Sequence, residues 1–291
     1  MRSSPVGALL GGWFRARGVR LDASAWIGAV LIGLMFLCVF AALAGLMPHD
    51  PYALDVMNRF QPPSLQHWLG TDNLGRDIFS RIVLGSRIAL YVSIVGVGGA
   101  LLAGLLVGTA AGYGPRGLDN IVLLVTDSLR TFPTILLAMV IVMVIGPSIN
   151  TIVLIVIVST MPGYTRIART QTLALRNQTF IQTERSLGAG PVRIILRHIL
   201  PNILTPLLII AFMDIPTVIA IEAGLSFLGL GIRPPTPSWG TVLQDGYAFI
   251  RNTPWLLVAA SIPLIATTLG FTLAGEALRD WLDPRRKDLV S

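Results

Sequence analysis

The sequence predicts an all-α polytopic membrane protein with six transmembrane helices and both termini in the cytoplasm. Composition is the first reason. Apolar residues without glycine make up 53% of 291 residues, and 29 glycines come on top. Soluble domains reach roughly 45–50% with glycine counted in. Charge is the second. Charged residues make up 13%, about half of the usual ~25%, too few to cover a soluble surface of this size. The third is pattern: stretches near the roughly 20 residues needed to cross a bilayer recur along the chain.

Residues 23–49 carry no formal charge and place span one at Trp26–Met47. Its length makes it a retained anchor rather than a cleaved signal peptide, since no small-residue cleavage site follows a short apolar run. Span two is placed at Ile88–Gly112, inside the uncharged stretch 88–115. Span three is placed at 121–145, interrupted by Asp127 and Arg130. Gly146-Pro147-Ser148 divides the next uncharged stretch, and span four runs from Ile149 to Arg166. Span five is placed at Ile203–Leu230 and span six at 252–275.

Six spans put both ends on one side. With the N-terminus inside, the inner segments hold 15 of the 22 cations and the outer ones six, Arg130 lying within a span. That asymmetry is the positive-inside signature and accounts for the net charge of +7 without nucleic acid. The chain then divides into an inner segment 1–25, a first span 26–47, an outer segment 48–87, a five-helix unit 88–278 and an inner tail 279–291. The outer segment is shorter than the ~50 residues an independent domain usually needs.

Several chemistries are excluded. Cys38 is the single cysteine, so no intrachain disulfide or thiolate metal site exists. The single lysine, Lys287, precedes Asp288, so the chain has no Gly-Lys-Ser/Thr phosphate loop. If nucleotide drives this protein, another polypeptide hydrolyses it. His49, His67 and His198 are far apart in the chain, and their spacing assigns no metal site. There is no Gly-x-Ser-x-Gly elbow.

Span two places Gly96, Ala100, Gly104, Gly108 and Gly112 four residues apart. One helix face is nearly bare, and a second helix can approach it closely. Charges inside spans are candidates for a pathway. Asp127 and Arg130, at i and i+3, can pair on one face, on a continuous helix 119–145 of roughly 40 Å. Asp214 and Glu222 flank Pro216 in span five. For Asp127 and Arg130 structural pairing and pathway lining stand side by side, and Asp214 and Glu222 are pathway candidates because nothing else in the span explains them. Glu276 is interfacial.

The most informative inner segment is 164–202. A turn, Gly188-Ala189-Gly190-Pro191, separates two short helical stretches. Val192, Ile195 and Ile199 share a face in the second, Arg193 and Arg197 lie together elsewhere, and Pro201 is expected to stop it. Such a basic helix-turn-helix binds anionic lipid or docks into a groove on a cytoplasmic partner.

Here the residues resemble a known family. The segment is similar to the E-A-A-x-x-x-G-x9-I-x-L-P coupling loop of binding-protein-dependent ABC importer permeases. Gly188 matches the glycine and Leu200-Pro201 the closing pair, and His198 stands where the peptide-importer branch commonly has histidine. Leu69-Gly70-Thr71-Asp72-Asn73-Leu74-Gly75-Arg76-Asp77, with Ser80-Arg81 and Gly85-Ser86-Arg87, resembles the outer motif of dipeptide and oligopeptide C-type permeases. So do Glu222–Gly231, Pro234–Gly240, and Leu278-Arg279-Asp280 with Leu282-Asp283-Pro284-Arg285. The resemblance covers about residues 66–286 and leaves 1–25 unmatched.

The resemblance implies a type I ABC importer permease fold, with 88–278 as its core and a coupling loop at 170–202. It implies a B-type permease partner, two ATP-binding domains (separate or fused) carrying ATP and Mg, and an extracytoplasmic binding protein delivering peptide. No cofactor is assigned to this chain itself. The coupling residues would be Gln182, Thr183, Glu184, Leu187, Gly188, Ala189, Arg193 and Arg197. The family's glutamate and two alanines fall on Gln182, Thr183 and Glu184, so the carboxylate sits two positions late, about 200° around a helix. An amphipathic stretch Trp239–Phe249 gives Trp239, Thr241 and Gln244 as docking candidates for the binding protein. A nickel, haem or glycoside importer, or an ion-coupled secondary transporter, stands as the alternative.

Overall fold

The computed structural model describes residues 23–282. Residues 1–22 and 283–291 lie outside the described residues, and with them most of the expected inner segment 1–25, most of the tail and the Asp283-Pro284-Arg285 match. Helix α1 is Ala23–Leu43, α2 is Ile78–Tyr113, α3 is Arg116–Thr131, α4 is Thr134–Ile145 and α5 is Ile149–Arg176. A short helix α6 is Thr179–Ser186. Helix α7 runs Pro191–Phe227 with a π turn at Ile195–Ile199. Helix α8 is Trp239–Ala248 and α9 is Pro254–Leu282. Five of these are long and apolar enough to cross a membrane, or six with the bent pair α3–α4 taken as one span.

Helices α2 and α5 pack in parallel along the glycine face. A Cβ on Gly96 would meet Val156 at 2.7 Å, one on Gly104 would meet Tyr164 at 2.5 Å, and one on Gly112 would meet the Arg169 carbonyl at 2.7 Å. Residue numbers rise together on both helices, so the bare face expected from the sequence has α5 as its partner. Parallel neighbours oblige the intervening chain to return to its starting end. Helices α3 and α4 make that return, which supports counting the pair as the sixth span.

The return is not the straight helix 119–145. It bends by 96° between α3 and α4. Pro133 causes the break: a residue before proline is pushed out of the α region, and Phe132 sits at φ −80°, ψ 129°. Helix α3 buries only Thr126, whereas α4 is apolar throughout after Thr134. Span two also begins ten residues earlier than expected, because Asp77 caps it by accepting the Ser80 N–H at 2.8 Å. Span four runs on to Arg176.

Proline does not stop α7 at Pro201. The π turn directly before it has the Leu200 N–H bonded to the Ile195 carbonyl, a wide turn that takes up the lost donor of the proline. The extra residue also rotates the face. Ile194 and Ile199, five apart, are fully buried while Val192 is 67% exposed, which corrects the expected Val192–Ile195–Ile199 face.

Helix α1 runs antiparallel to α9, with Gly28 against Ala274 and Gly270 against Leu31. At the end of the bundle opposite α6, helix α8 lies on α7 and α9. A Cβ on Gly240 would meet the Ala223 carbonyl at 2.3 Å, and one on Gly246 would meet Leu257 Cα at 2.8 Å. One core joins α2, α4, α5, α6 and α7. A second joins α1, α8, α9 and the head of α2.

Gly108→Leu should lower the thermal midpoint of the detergent-solubilised chain, in line with overpacking costs of about 1–3 kcal/mol. A Cβ there would meet the Thr165 carbonyl at 2.4 Å, whereas Gly98 has nothing within 4 Å. Gly98→Leu should therefore be close to neutral. Equal midpoints for the two variants would refute the packing assignment.

Candidate functional site

The helix-turn-helix forms as expected, and its turn is closed by backbone alone. Helix α6 ends with Gly188 at φ +85°. The Gly188 N–H bonds to the Arg185 carbonyl at 2.9 Å and the Ala189 N–H to the Glu184 carbonyl at 3.0 Å. That is the Schellman pairing, which needs a left-handed residue at the position after the cap. A Cβ at Gly188 would meet nothing within 4 Å, so the requirement for glycine there is conformational. Pro191 then opens α7 at its first turn, where its missing N–H is harmless.

Ile181 and Ile194 are fully buried and root the two arms in the bundle core. The tip points away from it. Leu187 is 79% exposed, and Gln182, Thr183, Gly188, Arg193 and Arg197 are exposed with it. Ala189 packs partly against the core. Gln182 donates to the Asn177 carbonyl at 3.2 Å. The shifted carboxylate faces inward: Glu184 lies 3.6 Å from His198 Nε2, and Phe180 meets the same imidazole edge-on. Glu184 thus faces the second arm.

Arginines fasten this end of the bundle. Arg176 donates to the Gly112 carbonyl at 2.8 Å, supplying a partner at the C-terminus of α2, where cations are favoured. The Arg185 guanidinium sits 5.1 Å from the Tyr113 ring centre. Arg169 pairs with Asp119 across α5 and α3, one contact being 2.7 Å. Asp127 pairs with Arg166 at 2.8 Å, both half-exposed. The expected Asp127–Arg130 pair is therefore replaced by a pair between helices, and Arg130 is exposed on α3.

The other acids sit deeper. Asp214 accepts the Tyr164 hydroxyl at 2.6 Å, linking α7 to α5. Glu222 is fully buried near α8, with Ser226 donating to it at 2.8 Å. Its burial takes it off any solvent-lined face in this state.

At the far end the outer motif builds a knot. Asp72 accepts the Leu74 N–H at 2.8 Å, the Arg76 N–H at 3.0 Å and Arg76 Nε at 2.7 Å. Arg81 lies 3.5 Å from Asp72, and Arg76 and Arg81 approach Asp245 of α8 at 3.4 and 3.3 Å. Burial raises the Asp245 carboxyl above the ordinary carboxylate range, while Arg81 and Arg76 work against that rise. Gly75, at φ +76°, presses against the Asp55 carbonyl. Trp255 donates to the Leu69 carbonyl at 3.1 Å. The resemblance singles out Asp72, Arg76 and Arg81 beforehand, whereas Asp245 and Trp255 lie outside its motifs and are brought in by the fold.

Two expectations fail at this end. Trp239 is 2% and Thr241 8% exposed. The Trp239 indole donates to the Ile82 carbonyl at 3.0 Å, and Thr241 completes a capping box with Ser238. They pin α8 down, and of the three docking candidates Gln244 alone is exposed. The histidines are also not all scattered. The loop after α1 brings His49 and His67 to a centroid distance of 4.6 Å, beside Asp77.

Residues 100–288 match the family model described as binding-protein-dependent transport system inner membrane component. The chain is 39% identical over 261 residues to the dipeptide transport system permease protein DppC of Alkalihalophilus pseudofirmus, covering 88% of this chain and 86% of that protein. It is 38% identical over 279 residues to the glutathione transport system permease protein GsiD of Escherichia coli O157:H7, covering 94% and 90%. Among solved structures, the inward-facing MetNI methionine ABC transporter matches with a TM-score of 0.54 at 19% identity, over 69% of this chain and 96% of that one.

Trp239→Ala should destabilise the solubilised protein by about 3–5 kcal/mol, while Gln244→Ala leaves it unchanged. Thermal unfolding in detergent measures both. A Trp239→Ala protein as stable as wild type would remove Trp239 from the role of anchor.

Proposed function

We infer the working arrangement of this chain from the premise that it belongs to the binding-protein-dependent transport system inner membrane component family. It is a multi-pass permease subunit of an ABC importer, and ATP hydrolysis resides in a partner. The dipeptide and glutathione named for its relatives make peptides its substrate class. The same relatives argue against an ion-coupled carrier or a nickel or haem importer.

The observation that carries the coupling role is the exposed tip around Leu187, held by the Gly188 turn and rooted by Ile181 and Ile194. We assign this tip to a groove on the partner ATP-binding domain, with Leu187 as its apolar knob. Thr183, Gly188 and Ala189 shape the turn, and Arg193 and Arg197 lie at its flank. Glu184 acts within the motif, bracing it through His198, rather than across the interface. This end, and both termini with it, would face the cytoplasm, an orientation that the cation asymmetry supports.

A second permease subunit would cover the apolar faces that this chain leaves open. Tyr91 and Ile94 on α2, with Met143 and Val144 on α4, are exposed. A binding protein would rest on the opposite end, where α8 and the Asp72–Arg76 knot give a rigid platform and Gln244 an accessible contact. Nucleotide on the partner drives alternating access by favouring one state of the assembled bundle. In such a cycle Asp127, Arg130 and Asp214 are the pathway candidates, Asp127 and Asp214 being held by Arg166 and Tyr164 in this state, whereas Glu222 is buried.

Gly188→Val tests the coupling role. A β-branched residue in the left-handed region costs roughly 1–2 kcal/mol, enough to open the turn while leaving insertion intact. The assembled complex in liposomes should lose peptide-stimulated ATP hydrolysis and peptide uptake together. Wild-type stimulation and uptake in a correctly assembled variant would exclude this turn as the coupling element.

A further inference from the structure

Nothing in the coupling role uses the two histidines and the aspartate that meet at the head of α2. We propose that His49, His67 and Asp77 form a binding site for one divalent metal ion of the borderline class represented by Zn2+, fastening the 44–77 segment to α2.

The donor set favours that class. Two imidazoles and one carboxylate suit Zn2+ and its neighbours, whereas Mg2+ and Ca2+ take oxygen ligands. One ligand atom from each residue lies within 4.8 Å of the other two. His67 Nδ1 is 2.9 Å and His49 Nδ1 3.8 Å from the same Asp77 oxygen, Oδ1. Bonds of about 2.0–2.1 Å to a tetrahedral ion set its ligand atoms about 3.3 Å apart. The two distances to Asp77 straddle that value, and all three ligand atoms lie within 4.8 Å, so closing the site asks the two rings to draw together around one ion.

A His67–Asp77 hydrogen bond accounts for His67 but leaves His49 unexplained. Its Nδ1 is buried with no hydrogen-bond partner, where such atoms are ordinarily satisfied. The carboxylate is already oriented as a ligand's outer shell requires. Asp77 Oδ2 accepts the Ser80 N–H at 2.8 Å, which turns Oδ1 toward the histidines. The Ser80 hydroxyl in turn accepts the His49 backbone N–H at 3.3 Å. The His49 side chain is 34% exposed, against 12% for His67 and 2% for Asp77. Solvent thus reaches the cluster from the His49 side, where water would take the fourth position of a three-ligand site.

The test uses the full chain with its partner permease, purified through a tag without histidines. The complex is equilibrated with Zn2+ and bound metal is counted by mass spectrometry. Co2+ serves as a spectroscopic probe. Wild type should hold one more zinc ion per copy than the His49→Ala/His67→Ala double variant. Its Co2+ form should show the visible absorption of a tetrahedral nitrogen–oxygen site, absent in that variant. Equal zinc content in the two proteins, or no such absorption in wild type, overturns the proposal. Should the double variant fail to insert, His49→Gln alone decides. A loss of affinity of at least about tenfold supports the site, and wild-type affinity overturns it.

Discussion

The close parallel contact of α2 with α5 is the constraint from which the rest follows. Two long helices running the same way, one connection apart, cannot be joined by a short turn. The chain between them must travel back, and α3 and α4 do so with a sharp corner at Pro133. The contact also sets the depth of α5, which places Arg169 and Arg176 at the end of α2. There Arg176 reaches the Gly112 carbonyl and Arg169 reaches Asp119. The Gly188 turn hangs from this end of the bundle, so its position traces back to glycines in the middle of α2.

Each end of the molecule is rigid for a different reason. At the Gly188 end apolar anchors enter the core and the turn is closed by main-chain hydrogen bonds, so the side chains at its tip stay exposed. At the opposite end the rigidity is polar. Asp72, Arg76, Arg81 and Asp245 hold one another, and tryptophan N–H groups reach backbone carbonyls. Buried charge of this kind is sustained only when its partners stay in place, which suits a platform that must keep its shape.

Much of this was legible in the sequence, unevenly. The four-residue glycine register announced a close helix contact without naming α5, because a small-residue face fits any partner of suitable shape. Gly188 was readable as a turn glycine from its neighbours. The start of α2 was not. Hydropathy stops the span at Arg87, whereas the fold carries the helix ten residues further back and buries Arg81 against two carboxylates. Pro133 lay in plain view inside an apolar stretch, and composition alone ran across it. Trp239 and Thr241 appeared on an amphipathic pattern as surface groups, but the pattern does not say which face meets the bundle. His49 and His67 stand 18 residues apart in a segment without periodicity, so only the folded loop brings them together.

Helix α7 carries a mechanical consequence. Its 37 residues form a rod about 55 Å long, rising from the exposed turn to the underside of α8. A rod of that length amplifies rotation: a tilt of about 5° at its foot displaces its head by about 5 Å. The π turn at Ile195–Ile199 sits at the foot, where a widened turn bends more easily than regular helix. The same insertion that lets the chain pass Pro201 therefore puts the widened turn at the end of the rod that adjoins the exposed Gly188 turn.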